Sequence, residues 1–255
     1  MHQDKFTHVR AVRQLAMNYH IRAMLAALHK HDPFPFQTLN YPCTSLARTH
    51  SDYVHFAAQP LPLMAAAWVA LIDVDPAAGP VFYYPRSHKL DAFNMQDFGL
   101  DRRQEGPLNY AKYQDIMNAS MERAGYQRKL AIIPRGHCLI WAANLVHGGP
   151  PADTEKKPRF SQVTHYFFRG ASYMWAPVAS DVVAGEIEYY DEEAVHRKWS
   201  DEGTADQRFR ISKFKAGGCY DVPSGAISPC DAVHRPPKVQ SELMPHAVQH
   251  GEAVM

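Results

Sequence analysis

Leu63-Met64-Ala65-Ala66-Ala67-Trp68-Val69-Ala70-Leu71-Ile72 is apolar at every position, and its reading decides the fold. A run without polar alternation is either a buried helix or a strand covered on both faces. Its flanks favour the strand: Pro60 and Pro62 precede it, and Asp73-Val74-Asp75-Pro76 closes it in a turn. The same punctuation recurs on either side. Phe36-Gln37-Thr38-Leu39-Asn40-Tyr41 alternates and is stopped by Pro42, and Gly79-Pro80 opens Val81-Phe82-Tyr83-Tyr84. Leu130–Ile133 precedes the turn Pro134-Arg135-Gly136, Cys138–Trp141 leads into Leu145–Gly149, and Pro158–Phe168 reads as a long strand. Short strands separated by Pro and Gly turns predict a mainly β fold, a barrel or sandwich decorated with helices. Ahead of them Val9, Val12, Leu15, Tyr19, Met24, Leu25 and Leu28 recur at helical steps. They predict a helical block over Thr7–His31, broken near Asn18 and stopped by Asp32-Pro33.

The composition narrows the classes of partner. A chain of 255 residues, 46% hydrophobic and 21% charged, is long enough for a sizeable core and has the balance of a globular protein. A formal charge of +1 gives no reason to expect nucleic acid or an anionic membrane as partner. No apolar run reaches transmembrane length, and no basic-then-apolar leader opens the chain. Cys43, Cys138, Cys219 and Cys230 form no close metal-binding pair, so reduced thiols and a cytoplasmic location are expected. A single domain is expected over 1–230 with its core at 36–170, and a disordered tail over 231–255, where Pro236-Pro237 and few large apolar groups stand. Between them Glu186–Trp199 is read as helical or irregular, and Thr204–Lys215 as a short helix.

Arg48-Thr49-His50-Ser51-Asp52-Tyr53 carries the chemistry. On a strand, side chains alternate, so His50 and Asp52 point one way and Ser51 the other. An imidazole and a carboxylate on one face are two ligands of a divalent metal, and one further His would complete a facial triad with open positions. Such pairs also arise by chance among 15 His and 26 acids, as in His2-Gln3-Asp4, which reads as a frayed end. For the third ligand His55, His88, His137, His147 and His165 are candidates. His147 stands out because Gly148-Gly149 leave room for a close approach, and His165 follows because it shares a face with Arg159. Arg159 itself is costly on an apolar strand unless paired. Its spacing alone allows an ion pair with Asp153 or Glu155, or a fork for a ligand carboxylate with Ser161 as second donor.

The sequence resembles the phytanoyl-CoA dioxygenase family of Fe(II)- and 2-oxoglutarate-dependent oxygenases. The resemblance rests on Phe36–Asn40, His50-Ser51-Asp52, Trp68–Val74, Gly79-Pro80, Ser87-His88-Lys89, Trp141–Gly149 and Pro158–Ser161, in that order and spacing. It implies a double-stranded β-helix, or jelly-roll, cupin-like core. It also implies iron held by His50, Asp52 and His147, and 2-oxoglutarate gripped at its far carboxylate by Arg159 and Ser161. Trp68 and Gln37 match positions facing the co-substrate. The implied activity consumes O2 and 2-oxoglutarate, releases succinate and CO2, and hydroxylates an unactivated C–H of a small molecule. Asp52 favours hydroxylation, because halogenating relatives lack that carboxylate. Two departures stand out. Arg86 replaces the usual Gly, so a differently shaped turn is expected there. Relatives carry a further N-terminal strand ahead of the helical block, so a truncated chain or a differently closed sheet is expected. Two rival readings follow: a non-catalytic jelly-roll binding protein that keeps the pocket, and a zinc hydrolase on the same three ligands. Finally Leu90–Lys129, polar with Phe93, Phe98, Tyr110, Tyr113 and Tyr126 scattered through it, is read as a lid over the barrel mouth, or else as a helical insertion packed permanently outside.

Overall fold

The structure is a computed structural model that describes residues 2–45, 47–61, 63–100, 106–150, 157–175, 186–190, 212–215, 218–221 and 226–229. In chain order its elements are β1 (His2–Gln3), α1 (Arg10–Ala16), α2 (Tyr19–His29), β2 (Pro33–Tyr41), β3 (Phe56–Gln59), β4 (Met64–Ala70) and β5 (Phe82–Tyr83). There follow α3 (Gly106–Arg123), β6 (Lys129–Leu130), β7 (Cys138–Ala142), β8 (His147–Gly148), β9 (Ser161–Phe168) and β10 (Ser172–Trp175). Short strands β11 (Glu186–Tyr190), β12 (Ser212–Lys215), β13 (Gly218–Asp221) and β14 (Ala226–Pro229) come last.

The apolar run is a strand. All seven residues of β4 are buried, because it lies between β9 and β7 in the five-stranded sheet β1-β2-β9-β4-β7. The register places Gln37, His165, Ala66 and Trp141 in one row across β2, β9, β4 and β7. Residues two apart share a face, so Trp68, Val163, Ser161 and Tyr41 line the same side as that row. The helical block covers the other side, where the Gln162 amide donates to Val12 O and the Tyr166 hydroxyl to Ala16 O. A second sheet, β6-β5-β8, and a third, β12-β11-β10-β3, complete the described pairing of the middle and later strands, with β13-β14 apart. The architecture is therefore mixed antiparallel sheets behind an N-terminal helical block.

Most boundaries follow from local chemistry. The helical block breaks at Asn18, whose side chain accepts from His20 N and Ile21 N and starts α2. β2 begins at Pro33, ahead of the expected Phe36. Its prolines are tolerated because β9 pairs on one side there while β1 reaches only Leu39 and Asn40 on the other.

Several expectations change. His2-Gln3 is not frayed: it pairs with Asn40 and Leu39, and Asp4 N donates to Thr38 O at 2.7 Å. A strand therefore does precede the helices. Arg86 adopts the left-handed conformation (φ 71°) that Gly would take, so the turn keeps its shape and the Arg backbone bears the strain. Glu186–Tyr190 and Ser212–Lys215, expected as helical or irregular, are paired strands, since polar and apolar residues alternate at 186–189. Leu90–Lys129 holds an 18-residue helix, α3, whose Tyr113, Met117 and Met121 are buried with Val54, Tyr84, Phe98 and Val146. That packing supports the docked helical insertion, and whether α3 also opens as a lid is a matter for the test below. Residues 231–255, and 101–105 within the Leu90–Lys129 segment, lie outside the described residues. Among the described residues, no helix is long and apolar enough to cross a membrane.

Candidate metal centre

His50, Asp52 and His147 converge: one potential ligand atom from each lies within 4.8 Å of the others, and all three residues are buried. Backbone pairing brings the two histidines together. His50 N donates to His147 O at 2.9 Å, and His147 N donates to His50 O at 2.8 Å. Arg48–Tyr53 is not the strand expected. His50 makes a single bridge, Ser51 is extended, and Asp52 opens a 3₁₀ turn running to Val54. One extended step suffices to keep His50 and Asp52 on one side, while Ser51 Oγ turns away to the Tyr113 hydroxyl at 3.4 Å.

The protonation states suit a cation. His50 Nδ1 lies 2.6 Å from Arg48 O and His147 Nδ1 3.0 Å from Leu145 O, so both Nδ1–H groups donate to carbonyls and Nε2 of each ring is the atom turned to the site. Burial, and then the facing His147, bring the His50 imidazole down to about 4, leaving it neutral at pH 7. Burial alone would raise the Asp52 carboxyl, but His147, His165 and His50 together hold it well below the usual carboxylate range. A neutral His50, an ionised Asp52 and a His147 ring oriented by its Nδ1 contact fit a divalent metal.

The other candidates divide. His165 is buried with Nε2 3.7 Å from Asp52 Oδ2, outside the converging set but against its carboxylate. His55 is half-buried and shares a hydrogen bond with the Tyr110 hydroxyl at 2.9 Å. His88 and His137 are exposed. Gly148 leaves no space for a ligand: a Cβ there would meet Phe82 Cζ at 2.5 Å and Ala47 O at 2.8 Å.

Further along the same sheet face, Arg159 is 1% exposed. Its Nη1 donates to Gly79 O at 2.7 Å and its Cζ stands 5.7 Å from the centre of the Trp68 ring. Among the described residues no carboxylate pairs with it, while Asp153 and Glu155 lie outside them. Arg159 Nε, Ser161 Oγ, Trp68 Nε1 and Gln37 Oε1 are all buried without a hydrogen-bond partner. Sequence reading missed two neighbours. Burial and then Asp52 push the Tyr41 phenol up to about 12, against a lowering by Arg159, which places it between the two halves of the site. Trp141 Nε1 donates to Asp52 Oδ2 at 2.6 Å. The available signal was that a buried indole N–H needs an acceptor.

A buried two-His, one-carboxylate set and a buried guanidinium without a carboxylate partner among the described residues make up a candidate site for one metal ion and an anion. The chain matches the model of the phytanoyl-CoA dioxygenase (PhyH) family over residues 4–161, more than half its length, and it belongs to that family. Among solved structures it is similar to the carbocyclase SnoK from nogalamycin biosynthesis, described as non-heme and alpha ketoglutarate dependent. That match has a TM-score of 0.53 and 20% identity, over 71% of this chain and 67% of that one. The epimerase SnoN, solved with Fe3+, alpha ketoglutarate and nogalamycin RO, gives 0.52 and 20% over the same shares. A second SnoN structure gives 0.50 and 19%, with 65% of its length spanned by this chain. At these identities the likeness is one of fold, that of the 2-oxoglutarate oxygenases. No match was found among curated proteins.

Proposed function

We propose that the chain is an Fe(II)- and 2-oxoglutarate-dependent dioxygenase that hydroxylates an unactivated C–H of a small molecule, releasing succinate and CO2. His50, Asp52 and His147 hold the iron, and Arg159 with Ser161 grips the far carboxylate of 2-oxoglutarate. Trp68 and Gln37 line the co-substrate side. The sheets β1-β2-β9-β4-β7 and β6-β5-β8 are read as the two walls of a double-stranded β-helix, joined at the His50–His147 bridge.

One observation carries this reading: Asp52 of the buried triad packs against Trp141 and His165 on the sheet face that also carries Trp68 and Ser161, and beside Trp68 stands a buried Arg159 that lacks a carboxylate partner among the described residues. A guanidinium so placed is costly until an anion arrives, and a carboxylate of 2-oxoglutarate is an anion of the kind it would pair with. Ser161 Oγ and Trp68 Nε1, also buried without partners, await polar groups on that anion. When bound, iron with the oxo acid supplies dioxygen activation coupled to decarboxylation. The chain's own residues fix the imidazole tautomers, keep Asp52 ionised, hold the co-substrate's remote end and exclude water.

The non-catalytic reading loses both features that favoured it, since a strand precedes the helices and Arg86 preserves its turn. Succinate formation from 2-oxoglutarate, measured with and without added Fe(II), tests the proposal. Iron-dependent succinate is expected, rising with true substrate. Metal binding without succinate under any candidate substrate would favour the binding protein, and hydrolysis supported by zinc alone would favour the hydrolase.

A further inference from the structure

We infer that Trp141 is a positioning residue that restricts Asp52 to metal ligation through one oxygen, Oδ1. The inference rests on the metal-binding reading above and goes beyond it to a residue not counted among the ligands. The two carboxylate oxygens of Asp52 are treated differently by the protein. Oδ1 faces His147 Nε2, one of the other two candidate ligands, at 3.7 Å. Oδ2 accepts from Trp141 Nε1 at 2.6 Å, a short charge-assisted hydrogen bond, and has His165 Nε2 at 3.7 Å beyond it. Trp141 is 5% exposed, so water does not compete for Oδ2. The register explains the placement, because Trp141 and His165 both stand opposite Ala66, on β7 and β9 respectively. Ala66, between them in that row, carries only a methyl group, and the Asp52 carboxylate reaches both of its neighbours. The indole also packs against the His147 ring, with centroids 4.8 Å apart, so one side chain touches two of the three ligands.

The consequence is a count of open positions. A carboxylate free to rotate can chelate with both oxygens and occupy a site that a bidentate oxo acid or dioxygen needs. With Oδ2 engaged by the indole, Asp52 supplies one bond and the metal keeps three positions.

The test uses Mn(II) as the probe, with free ion counted by its electron paramagnetic resonance signal, in wild type and Trp141→Phe. Phe keeps a ring against His147 and deletes the N–H. Outer-shell partners of metal ligands typically change affinity by about 10–100-fold, and because the released oxygen can itself chelate, Mn(II) binding should not weaken here. The Mn(II)-loaded variant should also bind 2-oxoglutarate more weakly than Mn(II)-loaded wild type, because the released oxygen competes for its position. A weakened Mn(II) affinity, or a 2-oxoglutarate affinity equal to wild type, would overturn the inference. Where Trp141→Phe fails to fold, the sulfur isostere 3-benzothienylalanine at position 141 keeps the bicyclic shape without the N–H, and the same two outcomes apply. Failure of wild type itself to bind Mn(II) would instead remove the metal-binding reading, and the inference with it.

Discussion

Replacing Arg159 with Met separates a ligand-holding role from a structural one. In the ligand-free protein the guanidinium gains a hydrogen bond to Gly79 O and a place over the Trp68 ring. A hydrogen bond to a charged group contributes about 1.5–3 kcal/mol, and a cation–π contact about 0.5–2 kcal/mol. Against both stands the desolvation of a cation that is 1% exposed and without a carboxylate partner among the described residues, which costs several kcal/mol. These terms nearly cancel, so Met should change the stability of the ligand-free protein by no more than about 2 kcal/mol. At roughly 2–4 °C per kcal/mol for a domain of this size, the melting temperature should move by less than about 8 °C. Binding of 2-oxoglutarate should respond quite differently. Truncating one partner of a buried charge pair costs about 2–5 kcal/mol. At about 1.4 kcal/mol per decade, that is a loss from roughly thirty-fold to several thousand-fold. Anaerobic titration of 2-oxoglutarate into Fe(II)-loaded wild type and variant, beside thermal unfolding of both without ligand, measures the two effects separately. Iron affinity should be nearly unchanged. An unaltered 2-oxoglutarate affinity, together with a large fall in melting temperature, would make Arg159 a structural residue and refute the reasoning.

Three further outcomes are expected from the packing. Arg86→Gly relieves about 1–2 kcal/mol of left-handed backbone strain and returns about 0.4–1 kcal/mol to the unfolded chain, so chemical denaturation should show stability unchanged or up by about 1 kcal/mol. A clear loss there would mean that the Arg86 side chain makes a contact outweighing its φ. Gly148→Ala forces a Cβ against Ala47 O, which is backbone and cannot yield, so a destabilisation of about 1–3 kcal/mol and a weakened neighbouring His147 site are expected; a neutral melting temperature would contradict the close approach. Met117→Ala empties a buried position under α3 and should cost about 2–5 kcal/mol, whereas a cost below about 1 kcal/mol in urea unfolding would show that α3 lifts readily and restore the lid.

The converging His50, Asp52 and His147 were legible because the requirement is local. His50 and Asp52 needed only one extended step to share a side, and that survived although the expected strand shrank to a bridge and a turn. For Arg159 the residues alone left an ion pair and a ligand fork both open, and only the family resemblance chose between them; its burial without a carboxylate partner among the described residues is what the structure adds. The helical block shows the limit of periodicity. Its breaks were correct, yet Tyr19, Met24 and Leu28 are 77%, 57% and 63% exposed, because spacing marks a helix without saying which side is covered. Trp141, Tyr41 and the row through Ala66 were not legible, since they depend on cross-strand register, which no single segment encodes. Arg86 misled in the opposite sense. Propensity argued for a changed turn, and tertiary structure imposed the old one at a local cost.

The central claim is that one metal sits between His50, Asp52 and His147 and is chelated there by 2-oxoglutarate. Anaerobic addition of Fe(II) and 2-oxoglutarate should produce the weak visible charge-transfer band of a chelated oxo acid, which His147→Ala should abolish and His165→Ala should leave detectable. A band that persists in His147→Ala and vanishes in His165→Ala would contradict the account.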